Sequence, residues 1–253
     1  MQGQEYEMLV QSQKPNRGGR KHPELDNVFS FKTFVEQRKT VSLHPKSEKQ
    51  REYIDMLTDP EKKVVFATGP AGTGKTMLAV LSAIKALKNG QINKIIITRP
   101  AVGVDDEKHG FLPGTLLEKL LPWAIPVMDI FKEHYSPIDL KRMLEDETLE
   151  LAALSMLRGR TFKKAVIIVD EAQNTSVNSM KMVLTRLGDE SKMIITGDIN
   201  QHDKLFAKDN GLKDFTERLS RSSSDAICMV TFSGKDIQRH PVVEEVLKLY
   251  GEI

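Results

Sequence analysis

Lys63-Val64-Val65-Phe66-Ala67, followed after Thr68 by Gly69-Pro70-Ala71-Gly72-Thr73-Gly74-Lys75-Thr76, decides how this chain folds. The first five residues are a short run of the kind that forms a strand covered on both faces. The last eight match G-x-x-x-x-G-K-[ST] in full, and a helix is predicted from Lys75 to about Lys88, closed by Asn89-Gly90. With Gly at about 7% of residues, a chance match in a chain of this length is on the order of one in a hundred. Strand, loop and helix in this order make a plain glycine turn a poor alternative. Glycines let a backbone wrap around phosphate oxygens with its N–H groups inward, and the helix then starts with its positive dipole end at the phosphates. The loop therefore predicts ATP binding through Gly69, Pro70, Ala71, Gly72, Thr73, Gly74, Lys75 and Thr76. Lys75 is expected to reach the β- and γ-phosphates, and the Thr76 hydroxyl to ligate Mg²⁺.

Working outward, four more apolar runs read as strands: Lys94–Thr98, Ala165–Val169, Lys192–Thr196 and Ala226–Phe232. Helical stretches stand between them, such as Val177 to Leu187 and Leu212 to Leu219, and a further helix opens at Pro45 and Ser47 and runs through Met56. This alternation predicts an α/β fold: a doubly wound, mostly parallel sheet forming a single P-loop core. Residues 1–40 are polar, with Arg17-Gly18-Gly19-Arg20-Lys21-His22 in the middle, and read as a flexible solvated arm or, alternatively, a basic arm touching phosphates. The core then covers residues 41–253. A long connection, about 100–162, reads as a helical insertion, with helical pattern through Met156. Such a length implies a subdomain or a functional element.

Two further strand ends carry chemistry. Ala165–Val169 runs into Asp170-Glu171, which places two carboxylates at the edge of the sheet where open α/β folds bind ligands. Asp170 is expected to hold Mg²⁺, and Glu171 to polarise the attacking water and accept its proton. Alone, such a pair is an ordinary solvated strand end; beside a P-loop it is a catalytic pair. Thr196-Gly197-Asp198-Ile199-Asn200-Gln201 follows another strand, and Gln201 is the candidate sensor of the γ-phosphate. The alternative is an ordinary turn rich in Gly, Asp and Asn.

Asp170-Glu171-Ala172-Gln173 with Gly197-Asp198-Ile199-Asn200-Gln201 resembles motifs of superfamily 1 helicases. Five stretches resemble the PhoH family more closely: Thr98-Arg99-Pro100-Ala101, Gly110-Phe111-Leu112-Pro113-Gly114, Arg158-Gly159-Arg160-Thr161, Asp170-Glu171-Ala172-Gln173-Asn174-Thr175 and Arg239-His240-Pro241-Val242-Val243. The likeness runs from about Leu43 to the C-terminus. Val102-Gly103-Val104-Asp105-Asp106-Glu107 departs from the text common in bacterial members and looks more like phage versions. The resemblance implies a RecA-like ATPase of a class named for links to phosphate starvation. It also implies an adenine-reading glutamine upstream of the loop, at Gln50, whose alternative is an exposed helix glutamine. Helicases of this type close the ATP site with arginines from a second lobe, for which this chain has no room. That predicts a ring-like homo-oligomer, a hexamer by resemblance, with Arg239 as first candidate finger and Arg99 as second; a surface or cap role is the alternative for each.

The chain has 253 residues, 40% apolar and 28% charged, with net charge +2. That balance neither demands nor excludes nucleic acid. For a single strand, Phe111, Trp123 and Phe131 are the available stacking side chains, with Lys119 and Lys132 nearby. Three functions stay open: a motor on single-stranded RNA or DNA, a nucleotide-controlled assembly switch, and a small-molecule kinase, against which Glu171 and Gln201 weigh. The six histidines show no metal-ligand spacing, and the one cysteine, Cys228, reads as a core thiol. No signal peptide is expected, no apolar run approaches the ~20 residues of a membrane span, and a cytoplasmic location is the expectation.

Overall fold

The computed structural model describes residues 40–100, 116–201, 210–238 and 241–249. The expected arm lies outside them except for Thr40, as does Phe111 of the insertion. Among the described residues, six strands form one sheet: β1 (Val64–Thr68), β2 (Lys94–Arg99), β3 (Leu149–Ala153), β4 (Ala165–Val169), β5 (Lys192–Gly197) and β6 (Ile227–Thr231). Their order is β3-β2-β4-β5-β1-β6, and every pairing is parallel. β5 lies between β1 and β4, with Thr68 beside Gly197 and Val169 beside Ile195. The carboxyl ends of the loop-bearing strand and the acid-bearing strand thus flank a third.

Alternation along each strand builds two apolar layers, since successive side chains point to opposite faces. Val65, Ala67, Ile95, Ile97, Val166, Ile168 and Ile194 face one way. They pack with Tyr53 and Leu57 of α1 (Glu48–Thr58), Leu78 and Ile84 of α2 (Lys75–Lys88), Phe131 of α3 (Leu116–Lys132), and Leu140 of α4 (Pro137–Glu145). Val64, Phe66, Ile96, Ile167, Val169, Met193 and Ile195 face the other way, toward Met180 and Val183 of α5 (Val177–Leu184) and Leu212 of α6 (Gly211–Ser220). Helices on both faces make the sheet doubly wound.

Two expectations need correction. The helical pattern read through Met156 contains β3, an edge strand parallel to β2. Leu149-Glu150-Leu151-Ala152-Ala153 consists of good helix formers, so local propensity misleads. The sheet decides instead: Leu149 and Leu151 are buried, while Glu150 turns out to ion pairs with Lys94 and Arg160. Phe131, counted above as a stacking side chain for a strand, is fully buried and stacks on Tyr135. It is core.

Sequence signals set the helix ends near the site. The Ser47 hydroxyl caps α1 by accepting from the Gln50 N–H at 3.2 Å. After β6, Phe232 N–H donates to Thr68 O at 2.7 Å, and Ser233 with Asp236 forms a capping box on a short 3₁₀ turn, Gly234–Asp236. The last described helix is α7 (Pro241–Leu249).

Candidate functional site

The loop leaves β1 at Gly69, whose φ of +132° is closed to other residues. A Cβ there would lie 2.4 Å from Phe232 O, so a glycine is also required by the close approach of the backbone just after β6. Lys75 opens α2 and is buried; its ammonium donates to Gly69 O and Pro70 O at 2.7 Å each and to Thr73 Oγ1 at 3.2 Å. Burial pulls its pKa below the ordinary lysine value, opposed by the charges of Asp198, Glu171 and Asp170. Anionic phosphate oxygens would be stronger acceptors for this ammonium than the neutral carbonyls it meets here.

Asp170 follows β4, and its N–H donates to Thr98 O at 2.9 Å. Asp170 Oδ1 accepts from Thr76 Oγ1 at 2.7 Å and from Thr196 Oγ1, on the intervening β5, at 2.6 Å. The sheet therefore brings together the two residues expected to hold a cation, although they lie 94 positions apart. A hydroxyl and a carboxylate beside a phosphate loop suit Mg²⁺, which takes few protein oxygens and completes its shell with phosphates and water. Among the described residues no group of three or more His, Cys, Asp or Glu could form an all-protein cage. The residues present fit the ion.

Glu171 comes next, in the left-handed region at φ +53°. One carboxylate oxygen accepts from Gln173 Nε2 at 2.5 Å, and the other lies 3.7 Å from the Arg99 guanidinium at the end of β2. Arg99 is thus an arginine of the same chain beside the candidate base. Gln201 is exposed in the loop after β5, where its N–H donates to Asp198 O at 3.1 Å. Arg239 lies outside the described residues; the preceding residue, Gln238, donates its N–H to Gly72 O at 2.9 Å.

Gln50 is not an exposed helix glutamine: it is 1% exposed. Its Nε2 donates to Thr73 O at 3.0 Å, and its Oε1 accepts from Lys46 N–H at 2.7 Å. Met77, 40% exposed, lies on the same side of Gly74. Thr196, Gln173 and Asp198 went unassigned in the sequence. Each stands within motifs quoted above, but only the strand order β4-β5-β1 shows that they meet.

The family model described as "PhoH-like protein" matches residues 42–251. The PhoH-like protein of Bacillus subtilis (strain 168) is 45% identical over 211 residues, 83% of this chain and 65% of the relative. That of Mycobacterium leprae (strain TN) is 40% identical over 225 residues, 89% of this chain and 62% of the relative. The chain thus spans a little under two thirds of the length of these curated relatives. Among solved structures, the Pif1 helicase from Candida albicans aligns at 15% identity with a TM-score of 0.40, over 81% of this chain and 43% of that one.

Proposed function

This chain belongs to the PhoH-like protein family, and from that premise we propose that it binds ATP in the Gly69–Thr76 loop and hydrolyses it with Mg²⁺. The observation that carries the reading is the contact of Thr76 and Thr196 with one oxygen of Asp170, directly beside Glu171. Mg²⁺, held by Thr76 and Asp170, would draw charge off the β- and γ-phosphates. Lys75 neutralises the same oxygens. Glu171 orients a water and accepts its proton, and Gln201 senses the γ-phosphate. Gln50, on α1 with its carboxamide against the loop at Thr73, is the candidate reader of the adenine edge. Arg239 completes the site as a finger, with Arg99 the alternative from the same chain.

We place this chemistry in a homo-oligomeric motor on single-stranded RNA or DNA, a hexamer by the family likeness noted above, in the cytoplasm. Among the described residues no helix is long and apolar enough to cross a membrane. A second reading, an ATP-controlled assembly switch without a strand substrate, is favoured by α7, which exposes Val243, Val246 and Leu249 at 39%, 43% and 87%. These residues are spaced to share one helix face.

ATP turnover with and without single-stranded RNA and DNA, with Lys75→Ala as blank, separates the readings. A strand-stimulated rate supports the motor. A rate indifferent to strands supports the switch. No turnover above the blank under either condition would overturn hydrolysis.

A further inference from the structure

Gln173 sits on a 3₁₀ turn, Ala172–Asn174, immediately after the candidate base, and is 3% exposed. Both ends of its carboxamide are engaged. Nε2 donates to Glu171 Oε2 at 2.5 Å, and Oε1 accepts from the Asp198 N–H at 3.1 Å. The orientation of the amide is forced, because a backbone N–H only donates and an ionised carboxylate only accepts. Asp198 in turn organises the loop that carries Gln201: its Oδ1 accepts from Asn200 N–H at 3.0 Å, and its carbonyl from Gln201 N–H.

Gly197 makes room for this bridge. A Cβ at Gly197 would lie 2.7 Å from Gln173 Oε1 and 2.8 Å from Leu212 Cδ2. One neutral side chain therefore spans β4 and β5 and touches both the base and the base of the sensor loop. Gln173 thus holds one oxygen of Glu171, while the other lies 3.7 Å from the Arg99 guanidinium.

We propose that Gln173 is a positioning residue: it fixes the Glu171 carboxylate and ties it to the Asp198–Gln201 loop, so that base and γ-phosphate sensor are set by a single hydrogen-bonded bridge. This rests on the hydrolytic role proposed for Glu171. Gln173 acts on the reaction through Glu171 and is not itself catalytic.

The test compares kcat and KM for ATP in the wild type, Gln173→Ala and Gln173→Glu, together with the Kd of a non-hydrolysable ATP analogue. Gln173→Glu keeps the size and the acceptor for Asp198 but removes the donor to Glu171, so it remains informative if Gln173→Ala unfolds. Both variants are expected to lose kcat on the order of 10²-fold, the penalty of a misplaced reacting group, while KM and analogue binding stay at wild-type values. Gln173→Glu made on Glu171→Gln, which keeps the acceptor for Asp198, is expected to lower the residual rate no further. Full kcat in Gln173→Glu would overturn the inference. So would an equal further loss on the Glu171→Gln background, or loss of analogue binding in step with kcat, either of which marks a structural role only. A wild type no faster than Lys75→Ala would instead remove the hydrolytic reading, and the inference with it.

Discussion

Gln50 has both ends of its carboxamide engaged inside the protein, one on the loop at Thr73 and one on the entry to α1 at Lys46. Gln50→Ala would leave a carbonyl and an N–H without their partner, a change worth about 1–3 kcal/mol where the groups stay dry. Urea melts of the two proteins measure it. If Gln50 also reads adenine, the variant loses preference for ATP over GTP in a binding titration; an unchanged ratio would confine the residue to a structural role. At this scale the sequence was legible where a motif fixes the chemistry. Gly69 to Thr76, Asp170 and Glu171 could be singled out without coordinates because the glycine pattern and the acidic strand end are local in sequence, and the sheet brings Thr76 to Asp170. Gln173 and Thr196 could not, since Asp198 and Asp170, which they meet across the sheet, follow other strands and nothing local announces the pairing.

α1 and β5 are joined by Lys192, whose ammonium donates to Met56 O, Leu57 O and Asp59 O at 3.1, 2.6 and 2.8 Å. A cation at a helix C-terminus complements its dipole, yet burial pulls the Lys192 pKa down to about 8 from the ordinary 10.5. Between these values the unfolded chain binds more protons than the folded one, so stability gains from Lys192 as pH rises through that window. The stability of the wild type relative to Lys192→Met is expected to be flat below about pH 8 and to improve towards pH 10.5. Chemical denaturation across that range tests it, and a difference independent of pH would refute the burial effect. Elements with β-branched runs, such as β2, β4 and β5, were readable from sequence because both faces are buried. β3 was not. Its leucines, alanines and glutamate fit a helix equally well, and only pairing with β2 and the ion pairs of Glu150 with Lys94 and Arg160 select the strand.

At the scale of the molecule, among the described residues, one all-parallel sheet brings the loop after β1, the acids after β4 and the Asp198–Gln201 loop after β5 to a common edge. That layout follows from the alternation of strands and helices and was legible, although β3 was missed. Assembly was not legible, because an interface depends on which apolar side chains remain outside the core. α7 leaves Val246 and Leu249 exposed, and if it mediates association, Val246→Asp with Leu249→Asp is expected to shift the species seen by light scattering to lower mass without unfolding the core. An unchanged mass would place the contacts elsewhere.

Phosphate release from ATP by the wild type and by Glu171→Gln, with ATP affinity measured on both, bears most directly on hydrolysis at this site. The wild type is expected to release phosphate, and Glu171→Gln to bind ATP as tightly while releasing phosphate roughly 10²–10⁴-fold more slowly, the usual contribution of a positioned base. Equal rates in the two proteins would contradict the role of Glu171 and the catalytic geometry built around it.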